Sequence, residues 1–280
     1  MAKISILIVT WNSENHIQNC LKALSSEHEI IVVDNNSDDN TVTIVSEEFP
    51  EVHMIRNPAN AGLSRALNQG FGIAHGKYIL LLNPDVVVME NTIQSLCKFM
   101  ETKADIGACG PRFFWPDGKI QPSCREFPRF TNIFWEFIGI ARIFKRLSKW
   151  KMGYFDHNST REVEQPMGSC LLIKKTVFDK IGGMNEDYPI FMNDVDLCHK
   201  IKERGYKIYF LPEANIIHYL GTATKQVKRK MILEEHWNLY RYLRDHFENK
   251  VLVALFAFLL LTSAFYRIFF SFVFNKVRKK

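Results

Sequence analysis

Apolar positions in the first eighty residues alternate between two spacings. Residues 3–10, 29–33, 52–56 and 78–82 are short β-rich apolar runs; the last is apolar at every position, which predicts a strand buried on both faces, as in parallel sheets. Between the runs the period lengthens to that of a helix. Ile17, Leu21 and Leu24 share one face of residues 14–24, and Leu63, Ala66, Leu67 and Phe71 one face of residues 63–74. This β-α-β-α-β order predicts an α/β fold: a mostly parallel, twisted, doubly wound sheet flanked by helices, with ligands bound at the carboxyl ends of its strands.

Those strand ends are polar. The runs close on Thr10-Trp11-Asn12, on Asp34-Asn35-Asn36-Ser37-Asp38 and on Asn83-Pro84-Asp85. Turn chemistry explains any one such cluster, whereas three at corresponding positions point to a site. No GxGxxG follows the first strand and no GxxxxGK[ST] occurs anywhere, which argues against a nicotinamide dehydrogenase and a P-loop NTPase. Without a glycine-rich cradle, a bound diphosphate needs a divalent cation for neutralisation. Asp85, just past a buried strand, is placed to hold Mg²⁺ or Mn²⁺.

The second half is less regular. Residues 113–129, with Trp115-Pro116-Asp117-Gly118, read as a structured loop or β-hairpin. A strand over 167–174, a helix over 176–180 and a break at Gly182-Gly183 follow. Then come a helix over 195–204, strands over 207–211 and 216–218, and a helix over 225–247. Asp194 and Asp196 stand two apart before a late His218. Each has a structural and a chemical reading. Asp194 is a helix N-cap or a general base; Asp196 is structural or touches an acceptor; His218 is a core histidine or a metal ligand. Arg65 is a surface residue or a phosphate contact, and Trp115 and Asp117 are candidates for shaping an acceptor site.

At 280 residues the chain can bury one large core or two modest ones, and 47% hydrophobic with 24% charged residues excludes disordered and collagen-like classes. The six cysteines form no CxxC, and Met1 leads straight into a strand rather than a signal peptide. Reduced thiols in a cytosolic setting are therefore expected. The net charge is +6. Residues 139–153 interleave five basic side chains with Ile140, Ile143, Phe144, Leu147 and Trp150, the pattern of an amphipathic basic helix suited to an anionic membrane surface rather than to nucleic acid. Residues 251–273 are almost wholly apolar, but the uninterrupted part, 251–266, falls short of the roughly 20 residues of a straight span. The expected division is a catalytic domain over 1–247 and a membrane-associating segment over 248–280, peripheral or a single anchor on the cytoplasmic face.

In order along the chain, Val9-Thr10-Trp11-Asn12, Val32-Val33-Asp34-Asn35-Asn36-Ser37, Asn60-Ala61-Gly62-Leu63-Ser64-Arg65-Ala66-Leu67-Asn68-Gln69-Gly70, Leu81-Leu82-Asn83-Pro84-Asp85, Met167-Gly168-Ser169-Cys170-Leu171-Leu172, Gly182-Gly183-Met184-Asn185-Glu186 and Asn193-Asp194-Val195-Asp196-Leu197-Cys198 resemble the family 2 glycosyltransferases of GT-A fold, particularly their bacterial rhamnosyltransferase-like branch. The resemblance covers about residues 1–245. It implies that Asp34 meets the nucleotide's base and ribose, with Thr10 and Asn12 close by, and that Asn60, Arg65 and Asn68 flank the diphosphate of a nucleoside-diphosphate sugar. It makes Asp85 the last acid of a DxD motif and a metal ligand, Asp194 the base, and His218 a second ligand. Two positions depart from the family pattern: Asn83 stands at the first DxD position and Asn193 stands where Glu is usual. The implied reaction is an inverting displacement, first guess from dTDP-rhamnose, onto a hydroxyl of a lipid-linked, polyprenyl-type or cell-envelope glycan. A sugar-1-phosphate nucleotidylyltransferase and a non-catalytic nucleotide-sugar scaffold are the alternatives.

Overall fold

The computed structural model describes residues 4–137, 144–221 and 227–277. A ten-stranded mixed sheet forms its centre, with eight strands ordered β3-β2-β1-β4-β11-β6-β12-β5. The first half follows the predicted spacing: β1 Ile4–Thr10, α1 Ile17–Lys22, β2 Glu29–Asp34, α2 Thr41–Glu48, β3 His53–Arg56, α3 Leu63–Gly72 and β4 Tyr78–Leu82. β1, β2, β3 and β4 pair in parallel.

Then come β5 Val86–Val88, α4 Thr92–Met100, β6 Ile106–Phe114, β7 Ile120–Gln121, β8 Cys124–Arg125, α5 Phe130–Phe137, β9 Arg161–Glu162, β10 Gln165–Pro166, β11 Cys170–Lys174, α6 Lys175–Lys180 and α7 Asn193–Glu203. β12 Lys207–His218, α8 Lys228–His246 and α9 Lys250–Val277 complete the chain. β11 runs antiparallel to β4 and β6, and β5 antiparallel to β12, while β6 and β12 are parallel. The turn Trp115–Lys119 joins β6 to β7 as the predicted hairpin. The two predicted strands at 207–211 and 216–218 are one strand whose register with β6 shifts between Leu211 and Asn215, around Pro212. A proline cannot donate to the ladder, so the extra residues bulge without ending the pairing.

Side-chain alternation divides the core in two. Leu7, Ile31, Val33, Ile79, Leu81, Leu171 and Ile173 face helices α3, α6, α7 and α8. Ile6, Ile8, Val32, Leu80, Leu82 and Leu172 face α1, α2 and α4. Each of these strand side chains is thus covered on its own face, and β4 is buried at every position, as its sequence predicts.

The expected basic helix over 139–153 is not what the described residues form. Residues 138–143 lie outside the described residues; beyond them Lys145–Leu147 makes one 3₁₀ turn and the chain then folds through tight turns. Tertiary contacts override the periodicity here: Trp150 packs against the core, Ser148 Oγ donates to Glu136 (2.6 Å), and Lys151 pairs with Glu136 at 3.1 Å. All six cysteines are free and buried.

Leu80 is fully buried between β1 and β11. Leu80→Ala is expected to lower the unfolding free energy by about 2–5 kcal/mol with an unchanged urea m-value. A loss under about 1 kcal/mol in a urea titration would contradict this placement of β4.

Candidate active site

The carboxyl ends of β1 and β4, the start of α3, the loop before α7 and one face of α8 enclose a cleft of about 470 Å³. Thr10, Asn60, Asn83 and Asp85 of the expected residues line it, together with Asn35, Pro189, Lys230, Met231 and Glu234. Its floor is tied together by polar side chains. Thr10 Oγ1 and Ser37 Oγ both donate to Asp34 Oδ1, at 2.8 and 2.6 Å, and the Ser37 N–H donates to Oδ2. Asp34 is 2% exposed, so its carboxylate braces the ends of β1 and β2 from beneath. Asn12 adopts φ +49 and crosses to the same turn: its N–H donates to Ser37 Oγ and its Oδ1 accepts from the Asp38 N–H.

The α3 side is clamped to the α7 side. The Leu63 N–H donates to Pro189 O at 2.7 Å and Ser64 Oγ to Tyr188 O at 2.5 Å. Gly62 has φ +84, and a Cβ there would sit 2.8 Å from Pro189 Cβ, so only glycine permits this approach. Asn60 Oδ1 caps the turn by accepting from the Gly62 N–H. Asn68 does not reach the cleft. Its amide donates to Met184 O and Glu186 and accepts from the Met184 N–H, so both its ends are engaged in holding the 184–186 loop. Arg65 is exposed on α3. Asp117 belongs to the β6–β7 turn, where it pairs with Lys119 at 2.8 Å and does not line the cleft, and neither does its neighbour Trp115.

At the end of β4, Asp85 meets His218. The antiparallel register of β5 and β12 sets His218 opposite Val86, and His218 Nε2 stands 3.5 Å from Asp85 Oδ1. Nδ1 bonds Gln121 Oε1 at 3.0 Å. Because that oxygen accepts, Nδ1 carries a proton, and in the neutral ring Nε2 then presents a lone pair. Nε2 is buried and has no hydrogen-bond partner. A bare nitrogen lone pair facing a carboxylate in a buried site is unfavourable unless a proton or a cation stands between them.

Residues 5–182 match the family described as Glycosyl transferase family 2. The chain belongs to that family. An N-acetylglucosaminyl-diphospho-decaprenol L-rhamnosyltransferase of Mycobacterium tuberculosis is 26% identical over 260 residues, 86% of this chain and 84% of that protein. Rhamnosyltransferase WbbL of Escherichia coli is 24% identical over 252 residues, 86% and 92% of the two chains. The solved structure of mannosyltransferase PcManGT from Pyrobaculum calidifontis, in complex with GDP-Man and Mn²⁺, superposes with a TM-score of 0.60 at 17% identity, over 94% of this chain and 73% of that one, a likeness of fold.

The family match ends before α7, so the acid of this glycosyltransferase's α7 stands on geometry. Phe191 and Met192 take successive left-handed conformations, φ +54 and +56, which turn the chain sharply into α7. The helix begins at Asn193, two residues earlier than its spacing predicts, so Asp194 lies within the first turn and Met192 holds the N-cap position. Asn193 Oδ1 accepts from the Asp194 N–H. Asp194 Oδ2 accepts from the Gly168 N–H at 3.1 Å and from Gln165 Nε2 at 2.8 Å. Burial pushes the Asp194 carboxyl above its ordinary value, against the opposing pull of the Gly168 N–H and Arg125. Asp196 turns away to Lys200 (3.3 Å) and His246 (3.9 Å). Asp194 lies outside the cleft lining but is joined to it through neighbours: Gly168 precedes Ser169, and Ser169 Oγ accepts from Asn83 Nδ2 at 3.1 Å.

Sequence reasoning passed over Gln121, Gln165, Ser169, Lys230 and Glu234. Lys230 is the only cation among the described residues lining the cleft. Ser169 stood within the Met167–Leu172 segment that carries the family resemblance and Asn35 in a strand-end cluster already picked out; no local pattern marks the other four.

A Cβ on Gly168 would lie 2.8 Å from Asp194 Cβ and 3.4 Å from its Oδ2. Gly168→Ala is expected to cost about 1–3 kcal/mol of stability and to cut turnover about 10–100-fold by displacing the carboxylate; a fully active variant would separate Gly168 from the site. A second outcome follows from the raised pKa. The folded state holds the Asp194 proton more tightly than the unfolded chain, so ionisation lowers stability as pH rises from the ordinary Asp value of about 3.9 through the folded one. Asp194→Asn removes that loss, so its stability relative to the unmodified chain should improve between pH 3.5 and 7 in paired urea titrations. A difference constant with pH would contradict the burial of the charge.

Proposed function

We propose that this glycosyltransferase inverts the anomeric centre of a nucleoside-diphosphate sugar, rhamnose being the first candidate, and passes the sugar to a hydroxyl of a lipid-linked glycan at the cytoplasmic face of a membrane. The observation that carries the reading is the buried His218 Nε2, without a hydrogen-bond partner and 3.5 Å from Asp85, which itself lines the cleft. Its donor set, one imidazole nitrogen and one carboxylate, fits Mn²⁺ or Mg²⁺, with coordination completed by phosphate oxygens and water. Among the described residues no third His, Cys, Asp or Glu joins them. When bound, such a cation supplies neutralisation of the leaving diphosphate.

The protein's own residues do the rest. Gln121 fixes the His218 tautomer. Asp34, Thr10 and Asn12 hold the β1 and β2 ends against the nucleotide, and Asn60 and Asn83 border the diphosphate, with Arg65 above on α3. Asp194 takes the proton of the attacking hydroxyl. Its raised basicity suits that task better than an ordinary carboxylate, whose conjugate acid is too strong to hold a hydroxyl proton. Gly168 N–H and Gln165 anchor Oδ2, while Oδ1 accepts the Val195 N–H at 3.0 Å and has a second lone pair for the acceptor hydroxyl. The rhamnosyltransferase names of two relatives, one on a decaprenol diphosphate, support the sugar and the lipid-linked acceptor. Membership of the glycosyl transferase family removes the nucleotidylyltransferase alternative.

The test is release of nucleoside diphosphate from a panel of sugar nucleotides, with Mn²⁺ or Mg²⁺ and then with EDTA, followed by transfer to a polyprenyl-diphosphate-linked sugar. One donor should be consumed only with metal. Asp85→Asn and His218→Asn should each raise the metal concentration needed. Asp194→Asn should cut transfer by about 10²–10⁴ while donor affinity stays within a factor of about two. Undiminished transfer in EDTA would overturn the metal role, and an active Asp194→Asn the base.

A further inference from the structure

By length and composition, Lys250–Ile268 at the start of α9 suffices to cross a bilayer. Its packing places it elsewhere. Val253, Phe256, Leu260 and Ala264 are buried and recur every three or four residues as one stripe. Phe256 and Leu260 share a core with Leu239 and Leu243 of α8. The Phe130 ring touches both Phe247 and Phe256, with centroids 4.6 and 4.9 Å away. Two polar ties hold the farther part: His236 Nε2 to Ser263 Oγ at 3.1 Å and Arg267 Nη1 to Glu235 at 2.8 Å. Later residues of α9 therefore meet earlier residues of α8, and the two helices form an antiparallel hairpin. Residues 250–267 run along α8 for about 26 Å, at about 1.5 Å per residue.

α8 cannot follow α9 into hydrocarbon. It carries Arg229, Lys230, Glu234, Glu235, Arg241, Arg244 and Asp245, and Asn238 donates to Ile190 O in the cleft wall. Sending α9 across a bilayer would strip its buried stripe, break both ties and leave Arg267 without Glu235. Yet the opposite face is strongly apolar: Leu255, Phe258, Leu261 and Phe265 are 58–74% exposed. No charged residue lies between Lys250 and Arg267, and the sequence beyond adds Lys276, Arg278, Lys279 and Lys280. Cations at both ends of an apolar face complement an anionic lipid surface. A second copy paired antiparallel through this face would set the same cations against each other.

We infer that the α8–α9 hairpin is a monotopic membrane seat: α9 lies flat on an anionic bilayer with its outer face in the headgroup–acyl boundary, and does not cross. On α8 the exposed Leu233 and Trp237 form the stripe between the His236 side, which meets α9, and the Lys230–Glu234 side, which walls the cleft. The apolar surface therefore runs from α9 to the rim of the cleft. The seated hairpin brings the cleft mouth to within about one helix diameter, ~10 Å, of the lipid headgroups. This last consequence rests on the proposed lipid-linked acceptor; the seat itself does not.

The test uses the full chain and vesicles of phosphatidylcholine alone or with one quarter phosphatidylglycerol. Flotation with the anionic vesicles is expected, weakened by salt. The triple variant Leu255→Glu, Phe258→Glu, Leu261→Glu alters only exposed positions and should lose vesicle binding at least ~10-fold while still releasing nucleoside diphosphate from the donor. Donor release and flotation are separate readouts, so a failed transfer reading and a failed seat are told apart. A cysteine appended after Lys280 decides the topology, since the native thiols are all buried. Labelling of the vesicle-bound chain by an impermeant maleimide added outside supports the seat; protection until detergent is added means that α9 crosses, and overturns it. A lipid-free dimer that the triple variant abolishes, with no flotation of the unmodified chain, would assign the face to a second copy and overturn it equally.

Discussion

The antiparallel pairing of β11 with β4 is the constraint on which the site depends. β4 is fully buried and parallel to β1 on one side, so its hydrogen-bonding edge on the other side must be filled. β11 fills it with five residue pairs, from Cys170 opposite Leu82 to Lys174 opposite Tyr78. The ladder continues one step past the strand, where the Asn83 N–H donates to Ser169 O at 2.9 Å. That step puts Ser169 beside Asn83 and Gly168 against Asp194. A parallel strand in this place would have carried the Lys174 end to the cleft and taken Gly168, and the Asp194 it binds, to the far edge of the sheet.

Two acids of this enzyme are each held by three hydrogen bonds. Asp34 is buried and satisfied by Thr10 and Ser37, as a structural carboxylate should be. Asp194 is half-buried, no cation among the described residues lies within salt-bridge distance, and desolvation raises its pKa. Its helix position explains part of the tolerance: the first turn of α7 offers a favourable dipole to a negative charge. The fold thus retains a carboxylate it would be more stable without, the usual mark of a group kept for chemistry.

α8 has three jobs on three faces. One face fills the core through Leu239, Tyr242 and Leu243, another walls the cleft through Lys230 and Glu234, and a third holds α9 through Glu235 and His236. A helix bound on so many sides cannot shift without changing the cleft. The packing of α9 and the shape of the cleft are therefore linked through one helix.

The sequence by itself determined the parallel half of the sheet, the polar strand ends and the identities of Asp85, Asp194 and His218 as residues worth testing. Those features depend on neighbours along the chain: a strand's two-residue period, a helix's turn and a closing Asn or Asp are all written within ten residues. It misassigned the 144–153 stretch because helical spacing there says nothing of what the side chains meet, and the resemblance that set Asn68 beside a diphosphate says nothing of the contacts it makes here. Asn68 meets Met184 and Glu186, and Lys151 meets Glu136. Only the tertiary structure decided that Gln121 holds His218, that His218 faces Asp85, and that α9 folds back on α8. Each is a contact between segments far apart in the chain, set by strand register or helix packing, and neither is encoded in any local period.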